Sequence, residues 1–120
     1  MIRLTIDSLH FEADAKIKTY IHEKIGKLDT FIPGRARTSV HSEVKLIGPA
    51  GRGKKQYTCE VILHVPHETI VMHASAGSMV AAIDNVEDKI KTRLRKYKQK
   101  HQVRQSRNLI RNMFDKLQKG

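Results

Sequence analysis

The stretch Tyr57-Thr58-Cys59-Glu60-Val61-Ile62-Leu63-His64-Val65, followed by Pro66-His67-Glu68 and Thr69-Ile70-Val71-Met72-His73-Ala74-Ser75, decides how the rest of the chain is read. Tyr57, Cys59, Val61, Leu63 and Val65 occupy every second position, and the alternation resumes from Thr69 to Ser75. Successive side chains of a strand point to opposite faces of a sheet, so one face of this stretch is apolar and seeks a core. Two such runs across a short break form a hairpin, the seed of an antiparallel meander.

Upstream, Gly48-Pro49-Ala50-Gly51-Arg52-Gly53 reads as a loop. Before it, Val40, Ser42, Val44 and Leu46 alternate with His41, Glu43, Lys45 and Ile47, which predicts another strand. Pro33-Gly34 marks a turn, and ahead of that Ile17, Tyr20, Ile21, Ile25 and Leu28 fall at helical spacing behind Asp14, a side chain suited to capping. That helix should end near Asp29. The opening Ile2-Arg3-Leu4-Thr5-Ile6 alternates again and predicts a first strand. Downstream of Ser78, Met79, Ile83, Val86, Ile90, Leu94 and Tyr97 form one apolar stripe of a long helix. The order is therefore β-α-β-β-β-α, an α+β fold with two helices on one face of a four-stranded, mostly antiparallel sheet. At 120 residues there is room for one core. Residues 1–102 are expected to form an α+β binding domain and residues 103–120 a basic amphipathic C-terminal tail.

The tail carries its own stripe, Leu109, Ile110, Met113, Phe114 and Leu117. At ~100° per residue this stripe points roughly opposite to the first one if a single helix runs through both. One straight helix cannot bury both in one core. Either the chain bends near Gln102 to Ser106, or the tail offers its apolar face to another molecule.

The formal net charge is +11, and its placement carries more information than its size. Met1 to Asp88 contain 11 Lys and Arg against 11 Asp and Glu, whereas Lys89 to Gly120 contain 12 against the single Asp115. The whole excess thus lies at one end, which is the footprint of a polyanion-binding surface. The candidate contacts are Lys89, Lys91, Arg93, Arg95, Lys96, Lys98 and Lys100 on the helix, with Arg104, Arg107 and Arg111 beyond. With the stripe buried, these cations should fan over the exposed arc, a geometry that suits folded RNA. Arg52, Lys54 and Lys55 add a second basic cluster in the glycine-rich loop, which lacks the spacing of a nucleotide-binding P-loop.

Other chemistry finds little support. No catalytic constellation is expected: the chain has no GxSxG motif, and Asp84-Asn85-Val86-Glu87-Asp88 suits the first turns of a helix. The seven histidines lack ligand spacing, so neither a metal nor any other cofactor is expected, and they are assigned to a wet sheet face. The lone Cys59 reads as a buried thiol in a reducing compartment. No apolar run approaches the ~20 residues of a membrane span, so the expected location is cytoplasmic, with no membrane partner.

Ala81-Ala82-Ile83-Asp84, Asp88-Lys89-Ile90 and Leu94-Arg95-Lys96-Tyr97-Lys98 resemble the second-helix motifs of the ribosome hibernation promoting factor family, also known as ribosome-associated inhibitors or sigma-54 modulation proteins. Lys27-Leu28-Asp29-Thr30-Phe31 and Tyr57-Thr58-Cys59-Glu60-Val61 add weaker support, and the likeness covers roughly residues 1 to 100. Ser78 and Val80 depart from the Asp-x-Tyr that usually precedes the first motif. The resemblance implies a short-form translation inhibitor, without the long form's C-terminal dimerisation domain. Such a module sits in the messenger and transfer RNA channel of the small ribosomal subunit and keeps idle ribosomes intact under stress or in stationary phase. It implies ribosomal RNA contacts at Lys89, Arg95, Lys96 and Lys98, and at Lys24 and Lys27 on the first helix. A monomer is expected off the ribosome. Two other readings stay open at this point: a double-stranded-RNA-binding module, and an interaction protein acting through the tail stripe.

Overall fold

The computed structural model describes residues 2–32, 34, 40–50 and 55–119, with side chains described as far as Lys100. Strand β1 (Arg3–Leu9) leads into helix α1 (Ala15–Lys24) and a 3-10 turn (Gly26–Phe31). Strands β2 (His41–Ile47), β3 (Tyr57–Val65) and β4 (Glu68–Ala76) follow, and the chain closes with helix α2 (Met79–Lys119). The sheet order is β1-β2-β3-β4. Both β2–β3 and β3–β4 pair antiparallel, with Val44 opposite Val61 and Val61 opposite Met72. The β1–β2 pair is parallel, with Ile6 opposite Val44. A parallel pair needs a crossover, which α1 and the 3-10 turn supply.

Each element follows from its residues. The Asp14 carboxylate accepts from the Ile17 N–H at 2.9 Å and so starts α1. The Ser78 hydroxyl accepts from the Ala81 N–H at 3.2 Å and starts α2. Ser78 therefore does the capping that an aspartate would do, while Val80 is 43% exposed beside it. Pro66 and His67 make the two-residue connection between β3 and β4, with His67 at φ 72°.

Three points on the elements go beyond the sequence reading, and one of them, the end of the first helix, corrects it. The first strand runs on to Leu9, because β2 offers paired residues as far as Ile47. The first α-helix stops at Lys24, not near Asp29, and tightens into the 3-10 turn; there the Gly26 carbonyl accepts from the Ile2 N–H at 3.0 Å, a bond to β1 that local periodicity does not show. The third difference concerns the tail. Helix α2 runs unbroken through Gln102 to Ser106, so the backbone shows no bend there. The side chains of Leu109, Ile110, Met113, Phe114 and Leu117 lie outside those described.

Both helices cover the same face of the sheet. Ile21, Ile25, Leu28, Val44, Leu46, Cys59, Val61, Leu63, Ile83, Val86, Ile90 and Leu94 are all at most 1% exposed. Burying Ile83, Val86, Ile90 and Leu94 contributes about 6–12 kcal/mol as an upper bound, which pins the first half of α2 to the sheet. The Tyr97 hydroxyl donates to the Pro66 carbonyl at 3.0 Å and fixes the helix over the β3–β4 turn. Burial in this core pushes the Cys59 thiol up to about 12.

Candidate nucleic-acid interface

With its apolar stripe held on the sheet, α2 must present its cations on what remains of its surface. They do not fan evenly over the exposed arc. At ~100° per residue, Lys91, Arg95 and Lys98 fall on the flank facing α1 and the 3-10 turn, while Lys89, Arg93, Lys96 and Lys100 fall on the flank facing β4. The arc between them, farthest from the core, carries the exposed Asn85, Asp88, Thr92 and Gln99. The helix thus bears two basic rows.

The rows differ in what they touch. On the β4 side, Lys89 Nζ donates to the His73 carbonyl at 2.9 Å. Arg93 pairs with Glu68 at 2.9 Å, and the other Glu68 oxygen is buried without a hydrogen-bond partner among the described residues. On the opposite flank, Lys91 pairs with Glu87 at 3.4 Å, one helical turn away. Among the described residues, no ion pair engages Arg95, Lys96, Lys98 or Lys100, and all four are exposed. Those four have their full charge to offer a ligand.

Helix α1 adds to the Lys91 row. Lys24 and Lys27 line the same groove as Lys91, and Arg95 lies over the Phe31 ring at 5.8 Å. The helices meet through the shared core and through one side-chain strut: the Tyr20 hydroxyl donates to the Asp84 carboxylate. That bond, with some desolvation and the nearby acids, pushes the Tyr20 hydroxyl up to about 12. Lys24 sits over the Tyr20 ring at 5.6 Å, so the strut also steadies a cation. Neither Phe31 nor the Tyr20–Asp84 bridge was singled out as part of the site from the sequence. Phe31 had a visible signal in the Lys27 to Phe31 motif, whereas Tyr20 was absorbed into the apolar spacing of α1.

Of the loop cluster, Lys55 is described and does not join this surface. Arg52 and Lys54 lie outside the described residues. Lys55 is exposed just before β3, at the end of the sheet where α2 begins, whereas Tyr97 marks the opposite end. The nine residues of β3 separate those ends by roughly 26 Å. A ligand touching both Lys55 and Lys98 must span the whole domain.

The uncovered sheet face is a weaker candidate. His41 and His64 stack there at 4.3 Å, His64 lies 3.2 Å from Glu43, and His73 is exposed, but His22 lies on α1 and His10 and His67 lie outside the strands, so only some of the histidines occupy the wet face. Asp7, Glu43, Lys45 and Glu60 give it mixed charge, and Val71 is 54% exposed. No group of three or more His, Cys, Asp or Glu converges as metal ligands among the described residues. Among the same residues, no helix is long and apolar enough to cross a membrane.

The family model described as sigma 54 modulation protein / S30EA ribosomal protein matches residues 4–102, which takes in every strand and the cationic half of α2. The chain belongs to this family. Among curated relatives, a ribosome hibernation promotion factor of Lactococcus lactis is 29% identical over 98 residues, covering 82% of this chain and 50% of that protein. A ribosome hibernation promoting factor of Pseudomonas putida is 27% identical over 101 residues, covering 84% of this chain and 91% of its own. The chain therefore spans half the length of the first relative and nearly all of the second. Two solved structures share the fold. The N-terminal domain of Thermus thermophilus protein Y superposes with a TM-score of 0.67 at 20% identity, covering 80% of this chain and 97% of that one. A ribosomal subunit interface protein from Coxiella burnetii does so with 0.65 at 17%, covering 81% and 98%.

Proposed function

We propose that this family member is a stoichiometric binder of the small ribosomal subunit that grips ribosomal RNA through α2 and the adjoining end of α1. In this reading it occupies the channel of messenger and transfer RNA, blocks translation and keeps idle ribosomes intact in stress or stationary phase. Residues 1–102 form the gripping domain and residues 103–120 a tail. It works in the cytosol as a monomer when off the ribosome, and it binds without catalysing a reaction.

One observation carries the proposal. Among the described residues, Arg95, Lys96, Lys98 and Lys100 are exposed and have no carboxylate partner, on a helix clamped to a core beside Lys24 and Lys27. A rigid array of cations that no carboxylate neutralises retains its charge for phosphates, and the release of condensed counterions then drives binding. The names of the hibernation-factor relatives and of the subunit interface protein support the ribosome as the source of those phosphates.

The test is sedimentation of the purified protein with small subunits on sucrose gradients. Co-migration at low salt that fades as salt rises is expected, and a protein that stays at the top of a low-salt gradient overturns the proposal. Arg95→Glu, Lys96→Glu, Lys98→Glu and Lys100→Glu together should abolish inhibition of translation in vitro while leaving the circular dichroism spectrum unchanged. Equal affinity for a plain RNA duplex and for the small subunit would instead favour a general duplex binder.

A further inference from the structure

Between α1, the 3-10 turn and α2 lies a groove of about 470 Å³ whose walls include Glu23, Lys24, Lys27, Phe31, Glu87 and Lys91. A second hollow of about 310 Å³ beside Thr19 and Tyr20 shares Glu23 with it, so the depression continues along α1. Resting on the RNA-binding reading above, we infer that this groove seats an unstacked nucleotide of single-stranded RNA, with its base against Phe31 and its phosphates on Lys24 and Lys27.

Three features separate this from a surface for duplex backbone alone. The first is composition. A phosphate contact needs only cations, and every carboxylate placed among them weakens it. Yet Glu23 and Glu87 stand among the three lysines, and Glu87 is 7% exposed. Glu87 is already paired with Lys91 at 3.4 Å, but the exposed Glu23 can accept from the amino groups on the edges of adenine, cytosine and guanine, which gives it a use once a base enters. The second is Phe31, half-buried in the groove wall with the Arg95 guanidinium 5.8 Å over its ring. Proteins that hold single strands combine a cationic track with such aromatic and guanidinium planes, because every base has a face to stack. The third is rigidity. The Tyr20–Asp84 bond ties α1 to α2 across the head of the groove, so the cleft exists before a ligand arrives. Its volume falls in the range of ~300–1,000 Å³ typical of small-ligand clefts.

The inference is tested on the full chain with two hexamers of equal phosphate count, hexaadenylate and a fully abasic analogue. Base stacking predicts that the unmodified protein binds hexaadenylate at least about tenfold more tightly than the abasic probe. Equal affinity for the two means that the groove holds phosphates only, and it overturns the inference. Phe31→Ala should reduce the preference for hexaadenylate to about twofold or less, and Phe31→Tyr, which keeps an aromatic face, should restore it. A Phe31→Ala protein that keeps the full preference also overturns it. Because the first comparison needs no variant, a destabilised Phe31→Ala protein does not blunt the test. Small-subunit sedimentation run in parallel keeps the two readings apart. Ribosome binding with no base preference sinks the groove alone, whereas base preference without ribosome binding sinks the proposed function alone.

Discussion

Neutralising the free cations of α2 should change the salt dependence of ribosome binding by an amount that can be worked out beforehand. Arg95, Lys96, Lys98 and Lys100 have no internal ion pair among the described residues, whereas Lys89 is bound to the His73 carbonyl and Arg93 to Glu68. Each phosphate contact contributes about 0.7–0.9 to the slope of log affinity against log salt. Changing the four free cations to Gln should therefore reduce the slope by about 2.8–3.6 units. Between 50 and 200 mM salt, the quadruple variant should lose about 50- to 150-fold less affinity than the unmodified protein does. Lys89→Gln with Arg93→Gln should shift the slope by no more than about one unit, because Arg93 is already neutralised by Glu68 and Lys89 alone keeps its charge for a phosphate. The assay is fluorescence anisotropy of labelled protein titrated with small subunits at four salt concentrations. A quadruple variant with an unchanged slope, or a double variant that loses as much slope as the quadruple, would refute the assignment of free and engaged cations.

Other expectations follow from the packing. Leu94→Ala empties a fully buried site under α2 and should cost about 2–5 kcal/mol in urea unfolding; a loss below about 1 kcal/mol would mean that the helix is not seated as described. A Cβ at Gly48 would lie 1.9 Å from the His10 carbonyl oxygen and 2.8 Å from its carbon, while nothing lies within 4 Å of one at Gly77. Gly48→Ala should therefore destabilise by about 1–3 kcal/mol and Gly77→Ala by less than about 0.5 kcal/mol, both read from urea midpoints. Alkaline stability follows from Tyr20 and Cys59, whose protons are held up to about 12 in the fold against ordinary values of 10.0 and 9.0. Above those ordinary values the unfolded chain sheds protons that the native state keeps. Their stabilisation is thus complete below about pH 9 and should fade from there to about pH 12. Melting temperatures across that range should show the fall, and Tyr20→Phe should flatten the part above pH 10 relative to the unmodified protein; an equally steep fall in both would contradict the Tyr20–Asp84 strut.

How much of this was legible in the sequence depends on how far each feature reaches along the chain. The alternation from Tyr57 to Val65, the Asp14 cap and the stripe from Met79 to Tyr97 depend on neighbours a few residues away. The element order, the face the helices cover and the concentration of charge after Asp88 could therefore be read directly. The parallel pairing of β1 with β2 could not, since it is set by where the α1 crossover delivers the chain. Nor could the early end of α1, which depends on a bond from Ile2 to Gly26 across the fold.

The site divides along the same line. Composition and spacing determined that α2 carries a dense run of cations opposite a buried stripe. Only the tertiary structure decided which of them are free, because Glu68 and the His73 carbonyl come within reach of α2 through the β3–β4 hairpin. It also decided that Lys24 and Lys27 meet Lys91 across a groove holding Phe31, residues at least sixty positions from Lys91 brought to it by the shared core and the Tyr20–Asp84 bond. Charge is a property of a residue and can be counted in a sequence; its availability depends on distances to groups that are remote in the chain, and those exist only once the core has set helix against sheet.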